Sequence, residues 1–321
     1  LSAQVDRLIE SPATAEFTRN FCGQWLDLRD INFTEPDANL YHQFDELLSI
    51  SMLRETELFF EHVLRNDLNV VNFVDADFTF LNERLARHYG IEGVEGQAFR
   101  KVALKEDSMR GGLLTQASIL KVTANGTYTS PVLRGGWVLE NILGTPTSPP
   151  PDYVGSVEPD IRGATTIREQ LALHRSIESC AACHARIDPP GFVLECFDPI
   201  GGYRERYRTM AEDAQRPDIK QAPFTYAWVR NRVGHPVDST SQLADGSSVA
   251  GIREFRQHLA AQPHTLTANL TPKHLTYALG RRLGFADRDA VRQIVSKTRA
   301  RGYGLRSLIH SIVSNPVFVK P

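Results

Sequence analysis

Sulfur and indole are scarce in this chain: its 321 residues include four cysteines, three methionines and three tryptophans. So few cysteines exclude a small scaffold stapled by a disulfide framework. Three methionines leave few thioethers to serve as metal ligands. Net charge is −2 and no basic run stands out, which argues against nucleic acid and against an anionic membrane surface as partners. No apolar run is long enough to span a bilayer, and no internal repeat points to a solenoid. At 41% hydrophobic and 23% charged residues, the chain has ordinary globular composition and length for two or three small domains.

Two of the cysteines stand in Cys180-Ala181-Ala182-Cys183-His184. Thiols three positions apart, with an imidazole directly after the second, are the attachment signature of a c-type haem. On one helical turn both sulfurs point to one side and can bond to the two vinyl groups, while His184 projects its ring toward the iron. A random draw at this composition produces the pattern with a probability of roughly 0.0015. The competing readings are a redox-active C-x-x-C pair beside an incidental histidine, and half of a zinc site. Zinc would need a second ligand pair, whereas Cys22 and Cys196 have no Cys or His within four residues. Pro189 and Pro190 are expected to end the helix soon after the motif. A carbonyl of the Asp188–Pro190 turn is the expected acceptor for the other ring nitrogen of His184.

What fills the second axial position separates electron transfer from chemistry on a small molecule. Met52 lies on an apolar helix stripe and Met210 in a charged stretch. Met109, beside Arg110-Gly111-Gly112, is the methionine candidate. His174 is the main alternative, because Ile167, Leu171 and His174 share one helix face. An open or water-filled position, the other histidines, Tyr128 and Tyr277 stay open. Arg110 and Arg134 are candidates to neutralise the haem propionates, and Trp137, Phe192 and Phe197 to form an apolar wall. Cys22 and Cys196 could pair across a loop of more than 170 residues, or remain buried thiols.

Residues 1–66 read as helical, with Phe44, Leu48, Met52, Phe59 and Val63 at helical spacing. Asp75-Ala-Asp-Phe-Thr79 is expected to cap a helix through Leu81 and Leu85 to Gly90, a simpler use of two aspartates than calcium binding. Residues 91–106 read as irregular or as a short strand around Val102–Leu104; a helix is expected after Ser108, and another from Ser130-Pro131 to Gly144. Thr145-Pro-Thr-Ser-Pro-Pro-Pro151 reads as an extended strap, and 164–179 as one helix leading into the motif. Short strands or hairpins are expected over 203–248, including Tyr226–Val229 and a turn at Asp245-Gly246. Amphipathic segments follow at 251–261, 271–283 and 287–315, the last broken at Gly302–Gly304. The fold class is therefore mainly α: helical domains around one covalent haem c, with a small β-containing insertion near 203–248. The domains are drawn as 1–105, N-terminal helical; 106–215, haem c-binding; and 216–321, the β-containing insertion with a C-terminal helical domain.

Longer stretches carry a resemblance. They are Asp107-Ser-Met-Arg-Gly-Gly-Leu-Leu-Thr-Gln116, Lys121-Val-Thr-Ala-Asn-Gly-Thr127, Thr129-Ser-Pro-Val-Leu-Arg-Gly135 and Trp137-Val-Leu-Glu-Asn-Ile-Leu-Gly144. Arg162-Gly-Ala-Thr-Thr-Ile-Arg-Glu-Gln-Leu171, His174-Arg175, Cys180–Phe192, Phe197-Asp198, Thr276-Tyr-Ala-Leu-Gly280 and Tyr303-Gly-Leu-Arg306 extend it. Together they resemble the C-terminal half of the large secreted planctomycete-type cytochromes, in which several domains of unknown function follow an N-terminal cytochrome c module. Residues 1–90 look like the first of those domains, roughly 106–205 like the haem-bearing one, and roughly 245–321 like the last. The resemblance implies a periplasmic or extracellular protein, part of a larger complex. Its partners would be a redox protein or further cytochrome domains of the same precursor. Haem c is attached outside the cytoplasm, and the sequence opens at Leu1 without a signal segment, so a longer precursor is expected. Single-electron transfer is the leading expectation. The alternatives are a haem-dependent peroxidase- or oxidase-like enzyme with an open sixth position, and a structural subunit stapled by its haem.

Overall fold

The computed structural model describes residues 1–147, 166–175, 178–217 and 230–319. Two short helices, α1 (Ser2–Glu10) and α2 (Thr14–Trp25), lead to a long one, α3 (Glu46–Arg65). Asp45 caps α3, its side chain accepting from the Leu48 amide at 2.7 Å. The stripe seen in the sequence explains why α3 is central. Leu48, Met52, Phe59 and Val63 are fully buried, and Phe44 packs beside them.

Residues 75–90 depart from expectation. Phe78–Leu81 forms strand β1, antiparallel to β2 (Arg100–Ala103), in a register running from Phe78↔Ala103 to Leu81↔Arg100. Phe78, Thr79 and Phe80 suit a pleated strand better than a first helical turn. The next helix, α4 (Glu83–Tyr89), starts instead at Asn82, whose side chain accepts from Leu85 N at 3.0 Å. Asp75 is not a cap: its Oδ1 accepts from Arg256 Nε at 3.0 Å.

The helix expected after Ser108 is delayed to α5 (Ala117–Val122), because Gly111 and Gly112 take φ of 148° and 74°, outside the helical range. Helix α6 (Pro131–Trp137) opens as expected, with Ser130 capping the Leu133 amide and Pro131 in the first turn. It then widens into a π-helical turn, Val138–Leu143, before Gly144 ends it. Helix α7 (Ile167–Arg175) covers most of the helix expected over 164–179, and α8 (Glu178–Val193) carries the motif, with 176–177 outside the described residues. Most of the Thr145–Pro151 strap and the strand expected at Tyr226–Val229 lie outside the described residues.

The insertion holds two small antiparallel pairs, β3 (Arg206–Thr209) with β4 (Arg232–Pro236) and β5 (Ser241–Gln242) with β6 (Ser248–Val249). The chain ends in helices α9 (Ile252–Ala260), α10 (Pro263–Leu279), α11 (Arg288–Arg299), α12 (Leu305–Val313) and α13 (Pro316–Val319). Among the described residues the architecture is mainly helical with small antiparallel sheets, and no helix is long and apolar enough to cross a membrane.

One apolar cluster joins Phe21 and Trp25, Leu120, Ile142 and Phe197, and Phe255, Leu270 and Leu308. Asn141, on the π turn, is the polar clasp of this junction. Its backbone carbonyl accepts from Trp25 Nε1 at 3.1 Å and from Asn269 Nδ2 at 2.7 Å, while its Oδ1 accepts from Lys273 Nζ at 3.1 Å. The widened turn alters the helical ladder where donors from both flanking segments arrive.

Candidate functional site

Cys180 and Cys183 both lie on α8, about 60° apart around its axis. Cys180 is buried and Cys183 exposed, so the pair straddles the edge of the helix's covered face. His184 follows, part-buried, with Nδ1 at 2.8 Å from Asp188 Oδ1. A carboxylate only accepts, so Nδ1 carries a proton, and in the neutral tautomer the lone pair is on Nε2. Asp188 is fully buried, and Arg175 of α7 brings Nε to 3.7 Å from its other oxygen. Two thiols on one face and an imidazole with its lone pair on Nε2 fit the donor set of a covalent haem.

The acceptor for His184 is thus the Asp188 side chain, not a carbonyl of a turn. The reason is that α8 does not stop at the prolines. It runs through Pro189 and Pro190 to Val193. These prolines withhold amide donors from the carbonyls of Ala185 and Arg186, and both of those residues are exposed, so water can serve the carbonyls. Continued helix places His184 and Asp188 four residues apart on one face.

Close backbone contact with α6 holds α8 in place. A Cβ on Gly135 would fall 1.8 Å from the Ile187 carbonyl oxygen, and one on Gly191 would fall 1.9 Å from that of Pro131. Only glycine at both points allows the two helices to meet this closely.

The arginines expected at the propionates are used elsewhere. Arg134 is fully buried. Its Nη1 donates to the carbonyls of Leu194 and Phe197 at 2.7 Å, and its Nη2 to that of Asp198 at 3.0 Å. Burial pulls its pKa down to about 10, with Glu195 opposing. Arg110 donates to the carbonyls of Thr115 at 2.6 Å and Gly201 at 2.7 Å, and lies over the Tyr89 ring at 3.4 Å. Both guanidinium groups are buried and clamp loop carbonyls inside the protein. Behind them Glu195 Oε2 accepts from Thr129 Oγ1 at 2.7 Å and Tyr207 Oη at 3.0 Å.

Met109 packs against the main apolar cluster. Its turn is fixed by Arg256 Nη1, which donates to the carbonyls of Ser108 at 3.2 Å and Arg110 at 2.6 Å. These contacts tie Met109 to α9, and none joins it to His184. His174 lies on α7, but its side chain is outside the described ones. Tyr277 packs against Phe17 and Phe21, and Tyr128 follows a turn held by Asn125 Oδ1. Trp137 and Phe197 belong to the main cluster. Phe192 is buried under the guanidinium groups of Arg168 at 4.1 Å and Arg175 at 5.8 Å. Cys22 and Cys196 are separate buried thiols rather than a disulfide. Among the described residues, no three His, Cys, Asp or Glu side chains cluster as a metal site.

Sequence reading missed Asp188 as a side-chain partner and gave Arg175 no role at the site. The i, i+4 spacing of His184 and Asp188 was the available signal, masked by the two prolines.

Three family models match in succession. Residues 1–91 match a protein of unknown function (DUF1592), 110–207 one described as DUF1588, and 245–318 one described as DUF1585. Their names associate these domains with a cytochrome-related group, and they follow the order that the resemblance implied. No curated protein and no solved structure matches the chain.

Proposed function

We propose that this chain is a c-type cytochrome subunit that carries one covalent haem and transfers single electrons outside the cytoplasm. Thioether links would form at Cys180 and Cys183, and His184 Nε2 would be the protein ligand to the iron. When bound, the haem supplies reversible one-electron chemistry. The protein's part is to present the ligand ring in one tautomer and to limit water around it. The observation that carries this reading is the pairing of His184 Nδ1 with the buried Asp188 carboxylate at 2.8 Å, four residues along the helix that bears both thiols. A redox-active thiol pair gives no reason for that arrangement; a zinc-bound imidazole would use the same kind of partner, but no second ligand pair accompanies the motif among the described residues. The names of the matched models support a cytochrome relationship. A separate redox protein, or further cytochrome domains of one precursor, would be the partner.

The test is to isolate the protein from a host that attaches haem c. The expected product is red, keeps its colour in the polypeptide after acid acetone, and weighs one haem more than its amino acids. Colour lost to the solvent, or a mass of amino acids alone, refutes the proposal.

A further inference from the structure

We infer that Asp188 and Arg175 form a pair of opposing positioning residues that set the reduction potential of the iron through His184. This rests on the haem reading above. The geometry is a line of three groups from two helices. His184 Nδ1 donates to Asp188 Oδ1 at 2.8 Å, and Arg175 Nε stands 3.7 Å from Asp188 Oδ2. Asp188 is fully buried, whereas Arg175 is about one-third exposed. The acceptor is a buried charged group rather than a backbone carbonyl, and that difference carries the inference.

A carboxylate accepting from Nδ1–H draws that proton toward itself and makes Nε2 a stronger electron donor. A stronger donor favours ferric iron, the more positive state. Arg175 acts in the other direction: its positive charge draws density from the carboxylate and weakens the pull on the ring. At 3.7 Å the contact is electrostatic rather than a hydrogen bond. The cation–π contact of Arg175 with Phe192, at 5.8 Å, also orients the guanidinium. Helix α7 thereby contributes to tuning a ligand that α8 supplies.

The two substitutions should shift the potential in opposite directions. Asp188→Asn keeps a neutral acceptor of the same shape. It should move the one-electron reduction equilibrium about tenfold toward the ferrous form, which is about 59 mV upward. Arg175→Gln removes a positive charge from beside the carboxylate and should move the equilibrium a few-fold toward the ferric form. The shift of the His184 Nδ1–H proton, read by NMR in the reduced protein, separates donor strength from a general field effect. It should move upfield in Asp188→Asn. It should move downfield in Arg175→Gln only while Asp188 is present, a dependence that a double-mutant cycle measures.

Mass is read first. A wild-type protein without haem sinks the cytochrome proposal itself. If wild type carries haem and Asp188→Asn retains it with unchanged potential and ring shift, the tuning pair is overturned and the cytochrome reading stands. Should Asp188→Asn fail to load haem, Arg175→Gln decides on the same two readouts. An unchanged potential and ring shift there overturn the inference.

Discussion

The Tyr89 hydroxyl donates to Glu55 Oε2 at 2.5 Å inside the core, where Thr79 Oγ1 also donates to Oε1 at 2.5 Å. Burial pushes the Glu55 carboxyl up to about 7, while the two hydroxyls and Arg110 pull it down. Its folded-state pKa therefore lies above its unfolded one, and the folded state holds the proton more tightly. This group's contribution is fully present below the ordinary carboxyl value and is lost as pH rises from there to about 7. His88, pulled down to about 4 by burial, adds a slope of the opposite sign in the acid range. The prediction therefore concerns a difference. Denaturant titrations of wild type and Glu55→Gln should diverge by up to roughly 3 kcal/mol across that window. Parallel curves would show that Glu55 titrates normally.

The neighbouring glycines of α6 should respond with opposite signs. Gly135→Ala drives a methyl into the Ile187 carbonyl and should cost about 3 kcal/mol or more. Gly136 has no atom within 4 Å of an added Cβ, so Gly136→Ala should stabilise by about 0.5–1 kcal/mol through helix propensity. Paired thermal melts check both. Equal effects would mean that the α6–α8 contact is looser than described.

Arg134→Lys should not rescue Arg134→Met. One ammonium cannot reproduce the fork that holds the carbonyls of Leu194, Phe197 and Asp198. Both variants should lose about 3 kcal/mol or more, because the buried carbonyls of Leu194, Phe197 and Asp198 lose donors that hold them. Chemical denaturation measures this. A stable Lys variant would show that charge alone suffices.

The remaining thiols should be silent in the native protein. Burial pushes the Cys196 thiol up to about 12 and raises that of Cys22 well above its usual value. Alkylation without reductant should leave both unlabelled when folded and label both after denaturation, as mass spectrometry would show. Failure to label after denaturation would reveal a disulfide.

Much of the scaffold was legible in the sequence because its signals are local. The stripe on α3, Pro131 after Ser130, and Gly144 at φ 68° each act within one or two turns. The thiols and imidazole of the motif were legible for the same reason. What escaped depends on packing. Pro189 and Pro190 read as a stop, yet α8 continues because its glycine contact with α6 holds the backbone where solvent reaches the stranded carbonyls. Arg110 and Arg134 read as propionate donors because nothing in a linear string marks an arginine that will clamp buried carbonyls. Asn82 displaced Asp75 as the helix cap once Phe78–Leu81 paired with a strand some twenty residues away.

The clasp at Asn141 bears on how the chain can be divided. Three segments are recognisable one by one, which invites treating them as interchangeable modules. Yet a single carbonyl between them is served by an indole from the first and an amide from the last. Excising the middle segment would remove that oxygen, leave both donors without it and bare the hydrophobic surface around them. The three segments would then have to be inherited, exchanged and produced in the laboratory as one indivisible unit.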